Sequence, residues 1–132
     1  MQYYFETREQ YITFLERLLK ISDEVRVVDD TPPGETFINE IKPYVQSHDW
    51  KKRIPGYGGK GRARVLNIPL SEKVEKIFRK YNSFLEIGYD EEYEYGVSMA
   101  FYKKGDLIFW IYAYDLICYL EEKYEKLFLD LI

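Results

Sequence analysis

The stretch that most limits the possible folds is LIFWIYAY, an uninterrupted apolar run from 107 to 114. This run is far too short to span a bilayer, and its continuous apolar character is typical of a central strand covered on both faces. The preceding segment, 93 to 102, alternates bulky apolar residues with small or polar ones, which is the period of a strand with one covered face. Its bulky set is Tyr93, Tyr95, Val97, Met99 and Phe101. KKGD between the two segments predicts a hairpin.

Helix and strand signals also mark the first half of the chain. Thr7 and Gln10 have the spacing of a capping box, which predicts a helix that begins there and ends near Ser22. VRVV at 25 to 28 and RVLNI at 64 to 68 predict strands, and Ser71 predicts the cap of a short helix. A further short helix is predicted from 35 onwards. It ends before Pro43, because proline lacks the backbone donor that a helix interior needs.

The remaining elements complete a prediction of the fold class. MQYYF at 1 to 5 and FLEIGY at 84 to 89 are interpreted as strands, and Asp115 as the cap of a final helix. The core-facing stripe of that helix would comprise Leu116, Ile117, Leu120, Tyr124, Leu127, Phe128 and Leu131. The sequence therefore predicts an α+β fold, a mostly antiparallel sheet with three or four helices packed on it, in a single globular domain over 1–132.

Charge and cysteine content restrict the function classes. The 132 residues contain 19 bases and 23 acids, which gives a net charge of −4. The single cysteine, Cys118, excludes an internal disulfide, so the fold does not depend on an oxidising compartment. The first residues lack the basic and apolar regions of a signal peptide, and we expect a cytoplasmic protein without a membrane partner.

A basic loop interrupts this acidic chain. KKRIPGYGGKGRAR, 51 to 64, holds six positive charges and no acid, so the remaining 118 residues have a net charge of −10. The loop lacks the Gly-Lys-Ser/Thr of a P-loop, and a strand follows its glycines rather than preceding them as in a dinucleotide site. Consecutive glycine amides still favour anion binding, with Lys60, Arg62 and Arg64 as candidate ligands. A nucleic-acid or phosphate-binding module is therefore one alternative.

Enzymatic chemistry has little support in the sequence. His48, the only histidine, lies near Lys51, Lys52 and Arg53, which suggests a ribonuclease-like site as a further alternative. No motif supplies the acid or orienting partner that such a site needs. One cysteine and one histidine cannot form a structural zinc site, and no nucleophile signature occurs. We therefore assign no catalytic residue and expect no metal or cofactor.

The segment GYDEEYEYG, 88 to 96, combines acids with tyrosines. Rigid aromatic anchors among acids are typical of a contact surface for a cationic partner. The strand pattern predicts that Tyr93 and Tyr95 face the core while the glutamates face outward. The predicted partner-binding residues are Tyr89, Asp90, Glu91, Glu92 and Glu94.

These observations favour a small acidic binding or inhibitor protein with a basic protein partner. In size, acidic character and lack of a catalytic motif the chain is similar to bacterial immunity proteins, which neutralise a basic nuclease-type toxin by covering its cationic site. The similarity is one of general character, and it carries no functional residue over to this chain.

Overall fold

Six antiparallel strands form the centre of the protein in the computed structural model, which describes residues 1–30, 34–51 and 63–131. The strands are β1 (Glu24–Asp29), β2 (Ser47–Lys51), β3 (Ala63–Pro69), β4 (Met99–Lys103), β5 (Asp106–Tyr112) and β6 (Ile117–Leu120). Their order across the sheet is β2-β3-β1-β4-β5-β6. Together with the helices, this sheet confirms the predicted α+β fold.

Helices of two kinds accompany the sheet in the described residues. The α-helices are α1 (Arg8–Ile21), α2 (Glu35–Ile41) and α3 (Glu72–Phe78). Four 3-10 helices cover Lys42–Tyr44, Phe84–Glu86, Ala113–Asp115 and Glu122–Leu131. Two of the three predicted caps are present, because Thr7 accepts from the Gln10 amide in a full capping box and Ser71 accepts from the Val74 amide. None of the helices described is both long and apolar enough to cross a membrane.

The main core lies between the sheet and the helices. α1, α2, α3 and the C-terminal 3-10 helix all contribute buried side chains to one cluster with the strands. Aromatic rings form its centre: Phe14 of α1 lies 4.9 Å from Phe109 of β5 and 4.5 Å from Phe128, measured between ring centroids. Phe84 lies 4.9 Å from Phe109 as well. Such close, mostly tilted ring pairs add to the burial energy of a core.

The opposite face of the sheet has a smaller cluster made of strand residues alone. Val28, Val65, Ala100 and Tyr102 are buried there, and Leu107 and Trp110 pack against them half-buried. No described helix contributes to this cluster. We call this side of the sheet the open face.

Several predicted elements have the expected type and place. The strands over 25 to 28 and 64 to 68, the helix after Ser71, and the hairpin at KKGD are confirmed as β1, β3, α3 and the β4–β5 turn. α2 ends at Ile41, before Pro43, which lies in the following 3-10 helix. Of the predicted edge strand at 1 to 5, only a single bridge from Gln2 to Tyr119 forms.

The prediction of a continuous final helix from Asp115 was wrong. Leu116 has a φ of 54°, a left-handed conformation that a right-handed helix does not accept. Ile117–Leu120 then pairs with β5 as β6, and helical structure resumes as the 3-10 helix Glu122–Leu131. The apolar stripe was partly correct, since Phe128 is buried, but Leu127 is exposed.

Two strand predictions also need correction. FLEIGY contains a 3-10 helix at Phe84–Glu86, and β4 begins at Met99 instead of 93. β2, in contrast, was not predicted at all, and His48 lies on it. β2 owes its conformation to pairing with β3, and its exposed polar residues have no apolar alternation that would reveal a strand.

Candidate functional site

The predicted partner-binding segment folds into a compact turn, residues 89–95, which we call the acidic tyrosine turn. Its two ends meet in an isolated antiparallel bridge, where the Asp90 amide donates to the Tyr95 carbonyl at 3.1 Å. Inside the turn the Glu94 amide donates to the Asp90 carbonyl at 2.7 Å. Glu94 has a φ of 62°, a left-handed conformation that lets the chain reverse direction there.

Asp90 stabilises this turn from within. Its Oδ1 accepts hydrogen bonds from the Glu92 amide at 2.8 Å and the Tyr93 amide at 3.3 Å. This is the way in which aspartate side chains commonly hold turns. Asp90 therefore fixes the backbone, whereas Glu91, Glu92 and Glu94 are exposed.

The structure corrects the predicted direction of the tyrosines. Tyr93 is 41% exposed and Tyr95 half-buried, so neither side chain enters the core. The strand alternation from which the inward direction was inferred does not apply, because 91–94 form a turn. Tyr89 is 47% exposed and remains a candidate contact residue. The turn thus presents tyrosines and glutamates together.

Two glycines and a valine hold the base of the turn against α2. Gly34 and Gly88 have φ values of 77° and 65°, in the left-handed region that favours glycine. A Cβ at Gly34 would lie 2.2 Å from Val97 Cγ2, and one at Gly88 would lie 2.6 Å from the same atom. The backbones at 34 and 88 can approach the valine this closely only because both residues lack a side chain.

A cleft of about 250 Å³ lies between this base and the turn. Gly34, Glu35 and Thr36 line it from the start of α2, and Tyr89, Asp90, Glu92 and Tyr93 line it from the turn. Glu35 is exposed and adds a further carboxylate beside the turn. Sequence reasoning missed this residue because it precedes the turn by more than fifty positions.

The fold brings further tyrosines to the acidic tyrosine turn, and the sequence patterns did not predict this. Tyr114, from the 3-10 helix after β5, has its ring 4.2 Å from Tyr95 and 5.7 Å from Tyr112. The Tyr95 ring is also 6.3 Å from Tyr93, so four tyrosines form a continuous row. The only hint in the sequence was that LIFWIYAY ends in tyrosines just before Asp115.

Tyr114 is fixed by Asp30 at the end of β1. Its hydroxyl donates to Asp30 Oδ2 at 2.5 Å. Burial, followed by the hydrogen bond to Asp30, raises the pKa of Tyr114 well above its ordinary value. The hydroxyl therefore stays protonated and can keep donating to Asp30 at ordinary pH.

The other candidate residues lie elsewhere or outside the described ranges. Lys60 and Arg62 of the basic loop are not among the described residues. Arg64 is partly buried at the start of β3, where its Nη1 lies 3.6 Å from Asp29 Oδ2. His48 is exposed on β2, and three strands separate β2 from β5 in the sheet. The fold therefore does not bring His48 to the acidic tyrosine turn.

Comparison of the chain with protein-family models, with curated proteins and with solved structures found no match. What the structure defines is an α+β protein with a six-stranded antiparallel sheet and an exposed acidic turn joined to a row of tyrosines.

Proposed function

We propose that this protein binds a basic protein partner through the acidic tyrosine turn, and acts as a small binding or inhibitor protein. The observation that carries the proposal is the joint exposure of Tyr89, Tyr93 and three glutamates on a turn whose backbone is fixed by Asp90. Because the backbone is already ordered, a partner loses little free energy in ordering this surface.

The two residue types would contribute differently to binding. Glu91, Glu92 and Glu94 attract a cationic partner over a distance and raise the association rate. Tyr89 and Tyr93 offer large, rigid contact areas that slow dissociation once the complex forms. If the cationic site of the partner normally binds a polyanion, this protein would inhibit the partner by covering that site, as an immunity protein does with a toxin.

The first experiment identifies the partner and then reverses the charge of the turn. A tagged copy of the protein is used to capture partners from its source organism, and the captured protein is purified. We expect the double variant Glu92→Lys/Glu94→Lys to associate with that partner more slowly, on the order of tenfold at low salt, and with a weaker salt dependence. Association and dissociation rates are measured by biolayer interferometry over a range of salt concentrations.

A matched control reverses two acids at the other end of the sheet. Glu72 begins α3 and Glu122 begins the last 3-10 helix, close to the starts of β1 and β5, whereas Asp30 and Tyr114 follow the ends of those strands. Glu72→Lys/Glu122→Lys makes the same change in net charge away from the turn. Equal slowing by both double variants would show that only net charge matters and would reject the turn as the binding site.

Truncating Tyr89 tests whether the tyrosines slow dissociation of the complex. We expect Tyr89→Ala to leave the association rate almost unchanged and to speed dissociation on the order of tenfold, because loss of an anchor acts mainly on the lifetime of a complex. Leu129→Ala is the control, since Leu129 is 64% exposed on the C-terminal 3-10 helix. A dissociation rate for Tyr89→Ala equal to that of the control would remove this residue from the site.

A further inference from the structure

The open face of the sheet carries a row of side chains that continues from the acidic tyrosine turn. Strand register places Arg26, Ala100, Trp110 and Tyr119 side by side on β1, β4, β5 and β6. Trp110 and Tyr119 are stacked, with ring centroids 5.1 Å apart and an interplanar angle of 20°. Both rings are half-buried and therefore also partly accessible.

Tyr112 connects this pair to the turn. It lies two residues from Trp110 on β5, so the two side chains share the open face. Its ring is 5.7 Å from Tyr114, which in turn contacts Tyr95. Ring contacts therefore lead from the turn to Tyr112, which shares the open face with the stacked pair Trp110 and Tyr119. We call Trp110, Tyr112 and Tyr119 the aromatic strip.

The same face already holds a guanidinium against an aromatic ring. The Cζ atom of Arg26 lies 3.9 Å from the centroid of the Tyr102 ring, and Arg26 Nε is 2.5 Å from Glu24 Oε1. A planar guanidinium stacks on rings in this way and is more weakly hydrated than an ammonium ion. The Glu24 carboxylate forms an ion pair with this guanidinium.

Acids lie at the end of the aromatic strip that is nearest the turn, around the Tyr114 ring that contacts Tyr112. Asp30 is hydrogen-bonded to Tyr114, and Asp115 is exposed directly after it. The exposed glutamates of the turn lie at the end of the tyrosine row. At its Tyr112 end the strip therefore has accessible rings next to negative charge, which suits a cation that can also stack.

We propose that the aromatic strip binds arginine side chains of an extended segment of the basic protein partner. This inference rests on the proposed function, because it assigns a second part of the same contact surface. The turn supplies charge that any basic partner would meet, whereas the strip distinguishes arginine from lysine. The partner's contact segment should therefore be rich in arginine.

The test uses two peptides of equal charge, four repeats of Arg-Gly-Gly and four repeats of Lys-Gly-Gly, with blocked ends. Isothermal titration calorimetry at low salt measures their affinity for the unmodified protein, so this comparison does not depend on the folding of any variant. We expect the arginine peptide to bind on the order of tenfold more tightly, since several stacked guanidinium groups each contribute a modest gain. Equal affinity of the two peptides would overturn the inference.

Variants then locate the preference. Tyr112→Val/Tyr119→Val should lower the affinity for the arginine peptide to that for the lysine peptide, with little effect on the lysine peptide. The control Tyr44→Val removes a half-buried tyrosine that packs on the main core, away from the open face, and should keep the preference. An arginine preference that survives loss of both strip tyrosines would also overturn the inference.

The outcomes separate this inference from the proposed function. If both peptides bind equally, and Glu92→Lys/Glu94→Lys weakens both, the acidic tyrosine turn stands as a site for basic segments and the role of the strip is rejected. If neither peptide binds even at low salt, both proposals fail together. Stronger binding of the arginine peptide, lost with the strip tyrosines, supports both.

Discussion

At the scale of single residues, the shape of the acidic tyrosine turn depends on atoms at its base and on one of its own carboxylates. Gly34, Gly88 and Val97 bring the start of α2 against the base of the acidic tyrosine turn. Asp90 uses its carboxylate on backbone amides of the turn itself. The backbone of the turn is therefore held by Asp90, and no glutamate side chain is needed for these hydrogen bonds.

Replacing either glycine with alanine should lower the free energy of unfolding. Gly34→Ala and Gly88→Ala place a Cβ within 2.6 Å of Val97 Cγ2 in addition to requiring a left-handed residue. The left-handed conformation costs about 1–2 kcal/mol and overpacking typically another 1–3 kcal/mol. Free energies of unfolding from urea titrations measure the sum.

The variant Gly105→Ala separates the cost of the left-handed conformation from the cost of the steric clash. Gly105 has a φ of 83° but no atom within 4 Å of a built Cβ, so only the conformational cost applies. Adding Val97→Ala to Gly34→Ala should restore part of the lost stability, because it removes the colliding methyl group. A loss for Gly34→Ala no greater than that for Gly105→Ala would contradict the steric account.

Residue patterns predicted the acids of the site but not their arrangement. Glu92 and Glu94 were expected to point outward and do so. The reason given was wrong, because the period of two in 93 to 102 predicts a strand only where a neighbouring strand pairs with it. Tyr114 and Glu35 join the site through contacts between distant parts of the chain, which no local pattern encodes.

At the scale of elements, the sequence predicts the start of a helix correctly where a side chain caps that helix. α1 and α3 begin at side-chain caps that can be read from Thr7, Gln10 and Ser71. β2 and β6 are different, because each becomes a strand by pairing with a neighbour. The segment 117 to 120 has apolar spacing that fits a helix or a strand, and the left-handed Leu116 before it decides in favour of the strand.

The capping box of α1 should make a measurable contribution to stability. Thr7→Ala removes the acceptor for the Gln10 amide and should lower the free energy of unfolding by about 1 kcal/mol. Thr13→Ala is the matched control, because Thr13 lies inside α1 and its hydroxyl donates only to the Glu9 carbonyl. Alanine favours helix interiors, so the control should lose little or no stability. If Thr7→Ala and Thr13→Ala lose equal stability in thermal unfolding, the cap makes no specific contribution.

At the scale of the whole molecule, the sheet has two unequal faces. The face toward the helices contains the main core, including Cys118 of β6, which is 2% exposed and paired in register with Ile111. The open face keeps a small strand-only cluster and the aromatic strip. Among the described residues, the helices pack on one face of the sheet only, and the cluster on the open face is built from strand residues.

Burial of Cys118 predicts a loss of stability at alkaline pH. Burial raises the pKa of the Cys118 thiol to about 12. An unfolded thiol ionises near pH ~8.5, so the unfolded chain gives up a proton that the folded protein retains. The contribution to stability is complete below pH ~8.5 and declines above it, by up to about 1.4 kcal/mol per pH unit.

Cys118→Ala tests this pH dependence. The variant should be less stable than the natural chain at neutral pH, because it loses buried volume, but its stability should change less between about pH 8 and about pH 9.5. Urea unfolding at several pH values compares the two slopes. Parallel slopes would show that another group causes the alkaline loss.

The contact of Gly34 and Gly88 with Val97 has an evolutionary consequence. A mutation at either glycine should cost less stability once position 97 has become smaller, so some orders of substitution are favoured over others. In sequences that diverged from this one and kept the turn, residues 34, 88 and 97 should vary together or stay unchanged, although residue 34 precedes the other two by more than fifty positions. The exposed glutamates have no such mutual dependence, so the acidic surface can adapt to a new partner by single steps while its support changes slowly.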